Sequence, residues 1–216
     1  MQQIAPMPNE GTRSAQRRAA IVDAATTVFL RKGYPAASMD EVATLAAVSK
    51  QTVYKHFRDK ETLFVHIIQG LMTSADEAIQ SASDALGDSA DLPRDLRALA
   101  RVLLESLRRP RVLQLRRVVI GEAERFPELG RAYWDLAFQR GIDSLAKGFT
   151  RLDQRDVLTV PDPELAAQHF AGLVLWGPIN HAMFYGVDDP AAAADIDRLA
   201  DAGVEAFLAA YGRRSG

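Results

Sequence analysis

Besides the cap candidate Ser49, six side chains in the run Ser49-Lys50-Gln51-Thr52-Val53-Tyr54-Lys55-His56-Phe57 can exchange hydrogen bonds with a polar partner: Lys50, Gln51, Thr52, Tyr54, Lys55 and His56. Read as one short helix, the run turns all six mainly outward, because Val53 and Phe57, four apart, claim the inward side. Lys50 and Lys55 can neutralise phosphates or reach base edges. Gln51 can pair bidentately with adenine and Thr52 can touch a thymine methyl. Tyr54 and His56 suit phosphates, which position a protein on a duplex without specifying sequence. The chemistry on offer is recognition of double-stranded DNA by a helix lying in the major groove. Spacing alone leaves a second reading open, the solvated face of an ordinary helical bundle.

Several elements must position that helix. Ser49 can cap it, and Ser38 can cap a helix before it, with Glu41 three residues on to close a capping box. Met39, Val42, Ala43 and Ala46 then form one inward stripe, and the turn between the two helices falls near Val48. A longer helix is expected from Arg13 to about Lys32, with Ile21, Ala25, Val28 and Phe29 inward and Gly33 ending it. Arg17 and Arg18 on it can reach phosphate or stay solvated. Asp59 caps a further helix, running to about Ala85, whose apolar positions Phe64, Ile67, Ile68 and Leu71 follow helical spacing. Lys60 at its start is expected to meet a phosphate together with the backbone N–H groups there. Residues 1–12, with Pro6, Pro8 and Gly11 and no Lys or Arg, read as a disordered arm.

The bulk properties agree with a soluble, cytoplasmic globular chain. Of 216 residues, 48% are hydrophobic and 25% charged, and there is no cysteine. Disulfides, thiolate metal sites and cysteine nucleophiles are thereby excluded. No stretch approaches the ~20 apolar residues of a membrane span. The net charge of −2 hides an asymmetry: residues 1–60 hold nine Lys or Arg against five acids, so they carry +4 and the remainder −6. A basic head on an acidic body suits a nucleic-acid end and a separate working end.

Beyond Gly87 the chain reads as a succession of helices. One starts at Pro93 and holds Leu96, Leu99, Leu103 and Leu107; Pro110 interrupts it, and a further helix ends near Phe126-Pro127. A long helix follows from Glu128 to about Asp153. Asp162-Pro163-Glu164 and Asp189-Pro190 are cap-plus-proline starts for the last two, and Gly177-Pro178 is expected to bend or break the first of them. The fold class is all-α with about nine helices.

Two runs extend the argument by resemblance. Ile21-Val22-Asp23-Ala24-Ala25, Phe29 with Lys32-Gly33-Tyr34, Ser38-Met39-Asp40-Glu41-Val42-Ala43, Val48 to Phe57, and Asp59-Lys60-Glu61-Thr62-Leu63-Phe64 together resemble the DNA-binding domain of the tetracycline-repressor (TetR/AcrR) family of bacterial regulators. The run Ile120 to Tyr133 resembles a C-terminal domain found in some efflux repressors of that family. The resemblance implies a helix-turn-helix head over residues 13–58 and a ligand-binding and dimerisation body over 59–216. It implies DNA contacts from Ser38, Ser49, Lys50, Gln51, Thr52, Tyr54, Lys55, His56 and Lys60. It also implies a homodimer through the last two helices, where Leu175, Ile179, Met183, Val204 and Phe207 are the candidate interface residues. A pocket between helices is usually apolar with a few polar groups. Trp134, Phe138, His169, Trp176, Asn180 and Phe184 are its candidates, although each fits an ordinary core or surface position as well. His169 and His181 are twelve apart and do not make the helical pair of a zinc site. No catalytic residue, metal or cofactor is indicated. The implied function is a ligand-responsive repressor, partnered by operator DNA, a small-molecule effector and a second copy of itself. An activator of the same family is the nearer alternative, and an all-α enzyme or small-molecule carrier the remote one.

Overall fold

In the computed structural model, which describes residues 10–187, 189 and 196–213, the architecture is all-α. The helices are α1 (Glu10–Ala36), α2 (Met39–Leu45), α3 (Lys50–His56), α4 (Lys60–Leu86), α5 (Leu92–Leu107), α6 (Pro110–Glu122), α7 (Pro127–Tyr133), α8 (Arg140–Gln154), α9 (Pro163–Tyr185) and α10 (Ile196–Tyr211). A π-helical turn, Trp134–Gln139, joins α7 to α8 without a break. The helix expected over 128–153 is therefore continuous but locally widened. Residues 1–9 of the expected arm lie outside the described residues, as do Pro190 and the expected start of the last helix at Ala191. Residues 10–12 already belong to α1.

Two glycine and proline signals resolve differently. Gly33, at φ 77°, kinks α1 rather than ending it, since the helix continues to Ala36, and Tyr34 packs inward behind it. Pro178, by contrast, does not break α9, which runs through it to Tyr185. The proline ring is buried, so packing compensates for the missing N–H. Two residues on, the Asn180 amide donates to the Trp176 carbonyl at 2.7 Å.

Burial is organised in two main cores. The first joins the head to the body: Ile21, Phe29, Tyr34, Val53 and Phe57 share it with Phe64 and Ile67 of α4, Leu115 and Val119 of α6, and Leu129 and Tyr133 of α7. The second gathers α5, α8, α9 and α10 around a cluster in which Phe207 lies 4.9 Å from Phe149 and 5.1 Å from Phe170, centroid to centroid. Arg97 and Arg101 on α5 pair with Asp197, Asp201 and Glu205 on α10 across the rim. The helix α4 belongs to both cores, with Phe64 and Ile67 in one and Ile79 and Leu86 in the other.

Candidate nucleic-acid interface and internal cavity

The two short helices are fixed by local chemistry. The Ser38 hydroxyl accepts from the Glu41 N–H at 3.2 Å, and the Ser49 hydroxyl accepts from the Thr52 N–H at 3.1 Å. The expected capping box is only half formed. The Glu41 carboxylate takes Arg31 at 2.8 Å and Lys32 at 2.7 Å, so it ties α2 to α1 rather than reaching back to its own cap. Those two cations hold its carboxyl below the usual range. The chain turns at Ala47, whose φ of 53° lies in the left-handed region. Val53 and Phe57 are buried, and that orients everything else on α3.

Lys50, Gln51, Tyr54 and Lys55 are exposed side by side, and Thr52 and His56 are half-buried at the edges of the same face. Lys50 is held by Asp40 at 2.7 Å, and this hydrogen bond raises the lysine's pKa. An exposed ion pair of this kind is worth little, so a phosphate can replace the carboxylate. Ser38 and Ser49 serve first as caps, and the Ser49 hydroxyl also lies 2.8 Å from that of Thr52. His56 lies in a groove with Arg18, and Arg18 stacks over the Phe57 ring at 5.1 Å.

Lys60 does not face outward. Its ammonium donates to the carbonyls of Tyr34, Pro35 and Ala37 at 2.9, 3.2 and 3.2 Å and sits 4.5 Å from the Tyr34 ring centroid. It closes the carbonyl end of α1, and burial lowers its pKa. The expectation of a phosphate contact from Lys60 is corrected accordingly: the C-terminal carbonyls of a helix compete for the same cation.

The body holds a cavity of about 370 Å³ between α4, α5, α6, the π-turn, α8 and α9. Trp134, Phe138, Trp176 and Asn180 line it, so four of the six candidate ligand residues converge. The π-turn widens the helix where Trp134 and Phe138 enter, and their rings stack at 5.1 Å with 21° between planes. His169 and Phe184 do not join them. His169 lies on the α10 side of α9, with Nδ1 2.6 Å from the Tyr211 hydroxyl, and Phe184 is 83% exposed.

The expected interface residues also divide. Val204 and Phe207 are fully buried within the chain itself, Ile179 is buried, and Leu175 and Ile179 line the cavity. Met183 is half-buried against Leu113 and Ile179. None of the buried residues can present a surface to another chain. The outward apolar residues of α9 are instead Leu165, Leu173, Trp176, Phe184 and Tyr185, next to exposed Ala202, Ala206, Ala209 and Ala210 on α10.

Two residues escaped the sequence reading. Asp40 neutralises Lys50 from ten residues away, a pairing that only the packed angle between α2 and α3 reveals. Arg116 is the one charged side chain among the described residues lining the cavity. Its signal was legible, since it stands four residues after Val112 and three before Val119, on the inward stripe of α6.

Comparison with known proteins adds independent findings. The model described as "Bacterial regulatory proteins, tetR family" matches residues 21–67, and the model described as "AefR-like transcriptional repressor, C-terminal domain" matches 94–213. A solved TetR-family transcriptional regulator from Mesorhizobium loti is 44% identical, with a TM-score of 0.84 over 93% of this chain and 99% of that one. A protein solved as "Flavonoid-responsive Regulator FrrA" is 28% identical, with a TM-score of 0.72 over 93% of this chain and 100% of that one. The HTH-type transcriptional activator FasR of Mycolicibacterium smegmatis is 37% identical over 83 residues, 38% of this chain. That match spans only 36% of FasR's own length.

Proposed function

The chain belongs to the TetR family of DNA-binding transcriptional regulators, and we propose that it acts within that family as a cytoplasmic homodimeric repressor released from a palindromic operator by a small, largely apolar effector. The family and the relatives are regulators rather than enzymes. In this reading residues 13–58 are the DNA-binding head and 59–216 the ligand-binding and dimerisation body. The observation that carries it is the pairing of an outward polar row on α3 with a cavity in the body, the two joined by one continuous core.

Lys50, Lys55 and Tyr54 bind the phosphates while Gln51 and Thr52 read base edges, with Ser38, Ser49 and His56 supporting at the margins. The exposed faces of α9 and α10 meet their copies across a two-fold axis, so two α3 helices reach two half-sites. No helix among the described residues is long and apolar enough to cross a membrane. Effector binding releases the operator only if the effector prefers the state in which the two α3 helices are wrongly spaced. FasR's description as an activator supports a second reading, in which the same dimer recruits rather than blocks transcription.

The test uses a labelled DNA fragment containing an inverted repeat from upstream of this chain's own reading frame. The expected result is saturable binding of the dimer, weakened in Lys55→Ala and steep in salt. Binding no tighter than to a scrambled fragment would overturn the reading.

A further inference from the structure

The chemistry of the cavity narrows what it can hold. Most of its wall is hydrocarbon, from Leu103, Leu107, Leu145 and Ile179 among others. One part is aromatic, the mutually stacked pair Trp134 and Phe138, and Trp176 adds a further indole from α9. Against that surface stands one charge. The Arg116 guanidinium lies 5.0 Å from the centroid of the Phe138 ring. It makes no ion pair among the described residues, although the arginines around it are engaged: Arg109 donates to Ser74 at 2.6 Å, and Arg117 donates to the carbonyls of Ala182 and Met183 at 2.7 and 3.0 Å. Two acids on cavity-forming helices are engaged as well, Asp76 with Arg140 and Asp143 with the Gln139 amide.

A guanidinium on the inward stripe of a helix, packed on a ring and lacking a carboxylate, is set up to receive one. Its fork matches a carboxylate bidentately, and the cation–π contact with Phe138 holds it beside the aromatic pair. The aromatic pair favours a ring over a flexible chain, because stacked and edge contacts add to simple area burial.

We propose that the cavity selects a flat aromatic anion, its ring against Trp134 and Phe138 and its acidic group on Arg116. This rests on the cavity being the effector site and specifies the effector's class. Gln139, Gln168 and Asn180, also on the lining, supply uncharged polar groups for further substituents on the ring.

The experiment uses three probes on the full-length dimer: 2-naphthoate, its neutral isostere 2-naphthamide, and decanoate, an acid without a ring. Affinity is read by calorimetry and operator release by fluorescence anisotropy. The expected order places 2-naphthoate roughly tenfold or more ahead of both others, with release in the same order. Arg116→Gln should bring naphthoate and naphthamide within about twofold, and Arg116→Lys should restore part of the preference by restoring the charge. Thermal melting of both variants checks that they fold. Naphthamide matching naphthoate, a preference that survives Arg116→Gln, or decanoate binding best would each overturn this inference while leaving the effector site standing. If no probe binds, the inference is overturned as well; if probes bind and leave operator affinity unchanged, the effector reading itself is overturned.

Discussion

Two cations only five residues apart do different work. Lys55 is exposed on α3 with the other outward polar groups, whereas Lys60 is spent on three carbonyls at the end of α1. Lys55→Ala should lower operator affinity and reduce the salt slope by about 0.9 per lost phosphate contact, without moving the unfolding midpoint. Lys60→Met should do the reverse. Losing a charged donor to those carbonyls should cost about 2 kcal/mol in urea unfolding, with the operator affinity of the folded fraction unchanged. A reduced salt slope in Lys60→Met would return that residue to the DNA interface. Asp59 gives a prediction in pH. Its carboxylate accepts from the Thr62 N–H at 2.8 Å, and that bond, with Arg58 beside it, lowers its pKa from the ordinary 3.8 to about 2. The folded state thus prefers the charged form. The stabilisation is fully present above the ordinary value and is lost as pH falls through about 2. Asp59→Ala should cost about 1 kcal/mol at neutral pH and lose less stability than the parent between roughly pH 5 and pH 2. Parallel stability curves for the two proteins would remove Asp59 from the acid response.

At the scale of the element, α9 is the most informative helix. It is apolar on nearly every side, with Val174 and Phe170 buried while Trp176 is 73% and Phe184 83% exposed. A helix of this kind carries no sequence signal for which apolar face lies inward, because amphipathic contrast is what such readings use. That is why the sequence offers Leu175 and Ile179 for an interface although they line the cavity, and Phe184 for the ligand site although it is surface. Where contrast exists the sequence was legible. The caps at Ser38, Ser49, Asp59 and Asp162 and the inward pair Val53 and Phe57 all stand as the spacing demands. Lys60 was illegible for another reason: its partners lie 23 to 26 residues upstream, and the kink at Gly33 brings them there. The corrected faces make a sharper test of assembly. Leu173→Arg changes an exposed position and should yield a folded monomer by sedimentation velocity, with operator binding weakened at least tenfold. Phe207→Glu should instead unfold the chain, because it buries an unpaired charge. A dimer that persists in Leu173→Arg would move the interface off this part of α9.

For the whole molecule, the question is how an event in the cavity could reach α3. The helix α4 offers one route, with Ile79 on the cavity wall and Phe64 in the head core. A second route runs through aromatic rings. Phe138 on the cavity wall packs edge-on against Tyr133 at 5.8 Å, Tyr133 ends the two-turn helix α7, and Phe126 stands at the start of α7. Phe126 packs on Tyr34 at 4.9 Å, and Tyr34 packs on Phe64 and Phe29 in the head at 5.1 and 5.8 Å. A ligand that shifts the π-turn would push α7 along its axis against the head, while the far end of α4 stayed anchored in the second core. Coupling between two such sites is typically worth 1–3 kcal/mol, a factor of about 5 to 150, and it is reciprocal: operator must weaken ligand as much as ligand weakens operator. Removing the contact at the α6–α7 corner should lower that factor while sparing both sites. Phe126→Ala is the variant, since Phe126 is only half-buried and touches neither site, and Tyr34→Phe, which keeps the ring, is its control. The measurement is the ligand affinity with and without saturating operator, in parent and variants. A factor falling towards 1 in Phe126→Ala and unchanged in Tyr34→Phe would assign the coupling to this corner. An undiminished factor in Phe126→Ala would assign it to α4 alone, because spatial continuity of rings is not by itself evidence of coupling.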